Sequence, residues 1–251
     1  YNENNKDLKL PTCESCHTAH RISNVHEDKF MGEITEQCGK CHEKLAETYL
    51  ETYHGKVHQL GYQQAARCSD CHGAHNIYKM DNPNSTISPR NIVKTCQKCH
   101  ADANMKFAGY LSHATHYNKE KFPWLYYTFW AMTGLLLSVF LFFGLHTLLW
   151  FPRSVAHMIK KRKHAKIEGK QKYIRRFTQT QRITHLFVIV SFITLALTGM
   201  ILKFAYMDWA KFLAKLIGGA YVAGVLHRIA AVVTFGYFIY HVVSLFKIKK
   251  S

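Results

Sequence analysis

Aliphatic residues are scarce in the first 123 positions of this 251-residue chain, and those present are scattered rather than gathered into runs. So thin a supply excludes an ordinary hydrophobic core there. A module of that kind is held together by metals, crosslinks or a bound prosthetic group. Nor is any cysteine spare. All eight fall in four copies of one pattern, Cys13-Glu-Ser-Cys16-His17, Cys38-Gly-Lys-Cys41-His42, Cys68-Ser-Asp-Cys71-His72 and Cys96-Gln-Lys-Cys99-His100. Disulfides would not require a histidine after every second cysteine, and a structural zinc ribbon, which paired cysteines alone would satisfy, gives the four histidines no purpose. Charge is missing from Trp124 to Trp150, which excludes a water-exposed helix.

Cys-x-x-Cys-His is the spacing of a c-type haem attachment site. The two thiols form thioethers to the porphyrin, and the histidine that follows is held where its ring meets the iron. Four covalent haems c are therefore expected, attached at steps of 25, 30 and 28 residues and supplying the apolar interior that the sequence lacks. Seven further histidines, His20, His26, His54, His58, His75, His113 and His116, compete for the four distal positions. His54 is favoured, with His20 and His75, each three residues after a proximal ligand, and with His113 or His116 as the fourth. A histidine three after a proximal ligand cannot easily serve its own haem, whose near face is taken, so His20 and His75 should reach a neighbour. Iron with two histidines has no open position and carries electrons rather than substrate. Locally, Lys44 to His54 has helical composition and Asp81 to Ser85 reads as a turn. Ser88 with Pro89 reads as the cap of a helix running into Cys96 and His100.

The formal charge of +17 is unevenly placed. Residues 1–123 hold 15 Lys and Arg against 14 Asp and Glu, whereas residues 153–182 hold 11 against 1. A basic segment between apolar runs is the positive-inside signal of a cytoplasmic loop, not a nucleic-acid surface, so no nucleic acid is expected as a partner. The residues before Pro123 then lie on the outer, periplasmic side of a cytoplasmic membrane, where c-type haem is attached. The chain opens at Tyr1 rather than methionine, and an export signal ahead of it is expected.

Residues 1–123 thus form the expected tetrahaem domain and residues 124–251 a transmembrane one, the whole all-helical. Three spans are predicted, at about 124–150, 183–203 and 220–246, the first opened by Pro123 and closed by Pro152. Between the second and third, a short helix capped by Asp208 and stopped by Gly218 collects Trp209, Phe212, Leu213, Leu216 and Ile217 on one face, as on a membrane surface. Histidines inside spans are functional-site candidates by default. His146 lies in the first, His185 in the second, and His227 and His241 in the third. Fourteen residues separate the last two, about 21 Å along a helix and within about 40° of one face, a placement suited to two haems stacked across the bilayer. His185 with His241 would hold one b-type haem near the cytoplasmic side. His227 would serve a second near the outer side, its partner coming from His113 or His116, another subunit or a further span. His146 is either an alternative ligand or part of a quinone pocket, and Arg182 and Arg228 are suited to haem propionates.

Arg176-Phe-Thr-Gln-Thr-Gln-Arg182-Ile-Thr-His185, then Ser191-Phe-Ile-Thr-Leu-Ala-Leu-Thr-Gly199 and Leu226-His227-Arg228, resembles the di-haem cytochrome b subunits of the bacterial cytochrome b561, hydrogenase and formate dehydrogenase gamma group. The amino-terminal part looks like a tetrahaem c-type domain, and the combination is similar to cytochrome c–cytochrome b fusions that act as inner-membrane quinol dehydrogenases in anaerobic respiration. The resemblance implies one or two haems b, menaquinone or ubiquinone as substrate, and a periplasmic cytochrome or reductase as partner. It equally admits a relay and anchor subunit of a larger oxidoreductase with other membrane subunits. A catalytic multihaem reductase would need a five-coordinate haem, against which the many histidines argue.

Overall fold

A computed structural model of the chain describes residues 11–17, 19–20, 22–25, 27–165 and 176–248. His26, residues 1–10, residues 166–175 of the basic segment, and Lys249 and Lys250 lie outside the described residues. Among those described there are eleven helices and no strand. Seven short ones come first: α1 Cys13–His17, α2 Asp28–Gly39, α3 Glu43–Leu50, α4 Tyr53–Gln59, α5 Cys68–His72, α6 Ile92–Gln97 and α7 Met105–Ala108. Four follow, α8 Pro123–Ala165, α9 Gln179–Lys203, α10 Asp208–Ile217 and α11 Ala220–Ile248. They form two compact units, Tyr1–Ala114 with Phe187–Ser251, and Thr115–Leu186.

The short helices pack in a chain, α1 on α2, α2 on α3 and α5, α3 on α4, α5 on α6, and α6 on α7. Their aliphatic interior is as meagre as the composition implies. The buried apolar residues are Ile34, Tyr49, Val57, Ala65, Ala103 and Ala108, half of them alanine. Helix composition over Lys44 to His54 yields two helices, not one. Thr52 breaks the run: its hydroxyl donates to the Tyr49 carbonyl at 2.6 Å and caps α4 by accepting from the Gly55 amide at 3.2 Å. Residue 55 must be glycine at this corner, since a Cβ there would collide with the Tyr49 carbonyl oxygen. The helix expected to start at Ser88 starts later, with Asn91 as its cap, and ends at Gln97. The Asn91 side-chain amide donates to the carbonyls of Pro83 and Ser85, both at 2.9 Å, which ties residues 88–91 into the preceding turn.

Three helices are long and apolar enough to cross a membrane, over Pro123–Arg162, Gln179–Lys203 and Ala220–Phe246. Their most apolar windows are 0%, 17% and 6% buried, so nearly all of that hydrophobic surface faces outward, as in a multi-pass membrane protein. Pro152 does not end α8, which continues through it to Ala165 and takes the first part of the expected loop into the helix. Proline removes one hydrogen bond, at a cost of about 3 kcal/mol, but the good helix formers around Met158 to Arg162 propagate the helix beyond it. At about 1.5 Å per residue, α8 outruns a hydrocarbon layer of about 30 Å, leaving its basic end beyond the apolar stretch.

Helix α9 begins four residues before the expected Ile183. Thr178 and Gln181 form a reciprocal capping box, the Thr178 amide donating to Gln181 Oε1 at 2.9 Å and the Gln181 amide to Thr178 Oγ1 at 3.3 Å. Met207, not Asp208, occupies the cap position of α10. Asp208 lies in the first turn and pairs with Lys211 at 3.3 Å. Gly218 stops the helix in the left-handed region, φ 106°. Helix α10 packs on α11; its Ala210 and Ala214 are fully buried, and Phe212 and Leu216 stay exposed.

Candidate functional site

Each Cys-x-x-Cys-His copy is a single helical turn. The first and third copies are the helices α1 and α5 themselves. In the second and fourth, the amides of His42 and His100 donate to the carbonyls of Cys38 and Cys96, both at 2.9 Å. Residues at i, i+3 and i+4 share one helical face, so each motif presents two thiols and an imidazole to the same side. All eight cysteines are unbridged.

The four motifs adjoin one another in chain order. The thiols of Cys38 and Cys68 are close enough to share a proton, which makes Cys68 the more acidic of the two, at about 7, and Cys38 correspondingly weak. Cys16 also acts on Cys38, and Cys96 on Cys71. First meets second, second meets third, and third meets fourth.

The other histidines enter from distant parts of the sequence. His75 faces His17 with ring centroids 6.3 Å apart and planes at 23°. His54 faces His100 at 6.2 Å and 43°, and His113 faces His72 at 6.2 Å and 45°. Each pair joins one motif histidine to one from outside the motifs. An imidazole nitrogen lies about 1.1 Å from its ring centre, given ring bonds of about 1.35 Å. A metal–imidazole bond is about 2 Å, so two imidazoles on opposite sides of one iron would have centroids about 6.2 Å apart. The three pairs fit that spacing within 0.1 Å. Among the described residues no three His, Cys, Asp or Glu side chains converge as a metal cage.

Apolar rings flank these pairs. Phe30 lies 5.4 Å from His17, Phe107 4.9 Å from His100, and Tyr110 meets His54 edge-on at 6.4 Å. Burial, reinforced by the partner imidazole, holds both His54 and His72 below the ordinary histidine range, and His42 adds to the effect on His72. Both rings are therefore kept neutral, the form that binds a metal.

His42 itself is exposed at the start of α3, and His20 is exposed in a bend. His58 is half-buried, its pKa lowered by burial and then by Arg67. His116 stacks on Phe129, centroids 3.7 Å apart, and meets Tyr117 at a tilt of 39°, centroids 4.0 Å apart, at the foot of α8.

Of the span histidines, His146 is exposed on α8 and His185 on α9. His227 and His241 share the continuous helix α11, which fixes their separation along its axis at about 21 Å. His227 is held by α9: its Nδ1 lies 2.8 Å from Thr198 Oγ1, and its ring passes beside Gly199. Lys203 at the end of α9 is near enough to Lys56 on α4 to add to the burial that pushes that amine down. Arg228 turns back along its own helix, Nε donating to the Gly224 carbonyl at 3.1 Å.

Thr48, Thr52 and Gly55, which position His113 and His54, have no signature in the sequence. Thr198 could have been found as a hydroxyl inside an apolar span. No protein-family model matches the chain, and neither does a curated protein or a solved structure.

Proposed function

We propose that the chain is an inner-membrane electron conduit between the quinone pool and periplasmic redox partners. The observation that carries this reading is the set of three histidine pairs at 6.2–6.3 Å, each containing one Cys-x-x-Cys-His histidine. Four haems c would be attached through Cys13 and Cys16, Cys38 and Cys41, Cys68 and Cys71, and Cys96 and Cys99, with His17, His42, His72 and His100 as proximal ligands. His75, His54 and His113 are assigned as distal ligands at the first, fourth and third sites. At the second, His20 and His116 stay candidates opposite His42.

When bound, haem supplies one-electron chemistry, and ligation and surroundings set its potential. The protein supplies the order of the sites, the apolar rings around them and neutral imidazoles. In the membrane, His185, His227 and His241 would hold one or two haems b, with His146 a further ligand or a quinone-site residue. Oxidising one menaquinol or ubiquinol releases two protons and two electrons. The protons would be released to water, and the electrons would pass one at a time between haems held at the His227 and His54–His100 sites and on to a periplasmic cytochrome or reductase.

Anaerobic addition of a menaquinol analogue to the purified full chain in lipid nanodiscs tests the proposal. Reduction of both b- and c-type absorption bands is expected. Bands that stay oxidised with quinol, yet are reduced by dithionite, would mean that quinol oxidation belongs to another subunit and that this chain is its relay.

A further inference from the structure

Two histidines share a hydrogen-bonding device that decides which ring nitrogen carries the proton. Thr198 is buried in α9, and its hydroxyl approaches the Thr194 carbonyl oxygen at 2.6 Å. Two oxygens that close without a proton between them repel, so the single hydroxyl proton of Thr198 lies on that line. Toward His227 Nδ1, 2.8 Å away, Thr198 Oγ1 can then only accept. His227 must donate from Nδ1, and the lone pair of the neutral ring is on Nε2. Thr48 does the same in the outer helices. Its hydroxyl donates to the Leu45 carbonyl at 2.9 Å and accepts from His113 Nδ1 at 3.0 Å, so the lone pair of His113 is also on Nε2. That ring faces His72 at the spacing of a shared iron.

Metal-binding histidines are commonly fixed in this way, one nitrogen donating to a protein oxygen while the other meets the metal. We infer that Thr198 is a positioning residue for a haem iron bound by His227 Nε2, and that Thr48 plays that part for His113. The inference rests on the reading above that His227 holds a noncovalent haem. It goes beyond that reading by assigning the coordinating atom and the residue that sets it. A hydroxyl accepting from Nδ1–H also makes the imidazole a stronger donor, which favours ferric iron and lowers the reduction potential.

The test uses the full chain in nanodiscs, with noncovalent haem separated from covalent haem by acid–acetone extraction and potentials read by redox titration. Thr198→Val should keep all covalent haem, bind noncovalent haem about 10- to 100-fold less tightly and raise its potential. Thr198→Ser should restore both. His227→Leu should remove one noncovalent haem outright. If Thr198→Val and wild type match in retention and potential while His227→Leu loses haem, the positioning role is wrong and the haem assignment stands. Should His227→Leu keep its full noncovalent complement, the haem assignment itself fails. If Thr198→Val does not fold, an unchanged potential in Thr198→Ala overturns the positioning role in its place.

Discussion

Gly55→Ala tests whether the short corner between α3 and α4 sets the position of His54. A methyl group at residue 55 would stand 2.6 Å from the Leu50 Cα and 2.8 Å from the Tyr49 carbonyl carbon, and nearer still to the Tyr49 oxygen. Carbon atoms pack at about 3.5–4 Å, so the corner must open by about 1 Å. All three obstructing atoms belong to backbone, and no side-chain rotamer can relieve them. Overpacking of this kind costs about 1–3 kcal/mol. The capping bond from the Gly55 amide to Thr52 is strained by the same movement. Since ligand distances hold to about 0.2 Å, a shift of about 1 Å in the neighbouring His54 removes it from an iron bound by His100. The expected result is one high-spin haem in four, visible by electron paramagnetic resonance and able to bind carbon monoxide when reduced. His54→Ala should give the same spectrum with the corner intact. A Gly55→Ala protein that folds, stays wholly low-spin and binds no carbon monoxide would refute the link from corner to ligand.

Other consequences are simpler to measure. Cys68→Ala with Cys71→Ala should abolish the folded outer helices, read as lost helical circular dichroism, because Ile34, Val57 and a few alanines cannot hold them alone. Tyr49→Phe removes the hydroxyl that donates to the Ala66 carbonyl at 2.8 Å and should cost about 1 kcal/mol in thermal or denaturant unfolding. His58 has a folded-state pKa below its ordinary 6.5, through burial and then Arg67. The unfolded chain therefore takes the proton first, and the contribution of His58 is complete above about pH 6.5 and lost as pH falls below it. His58→Gln should flatten that part of the pH–stability curve; an unchanged slope would show that His58 is not the group responsible.

What the sequence made legible was local. Four motifs, each one helical turn, and three long uncharged or nearly uncharged runs declare themselves by spacing alone. Gly218 also stops α10 as its residue type implies. The histidine pairs were less accessible, because His17 meets His75 and His54 meets His100 through tertiary packing that no short pattern encodes. Helix boundaries failed where side chains reached across turns: Thr52 splits a run of helix formers, Asn91 is drawn into the turn before it, and Thr178 with Gln181 starts α9 early. Pro152 misled in the opposite sense, since one lost hydrogen bond does not stop a helix supported on both sides.

The central claim is that iron porphyrins are bound covalently at all four motifs. Pyridine haemochrome spectroscopy of the purified chain, set against its protein concentration after acid–acetone extraction of noncovalent haem, measures this directly. Four covalent haems per chain are predicted; fewer than four, or zinc in their place, would contradict the account.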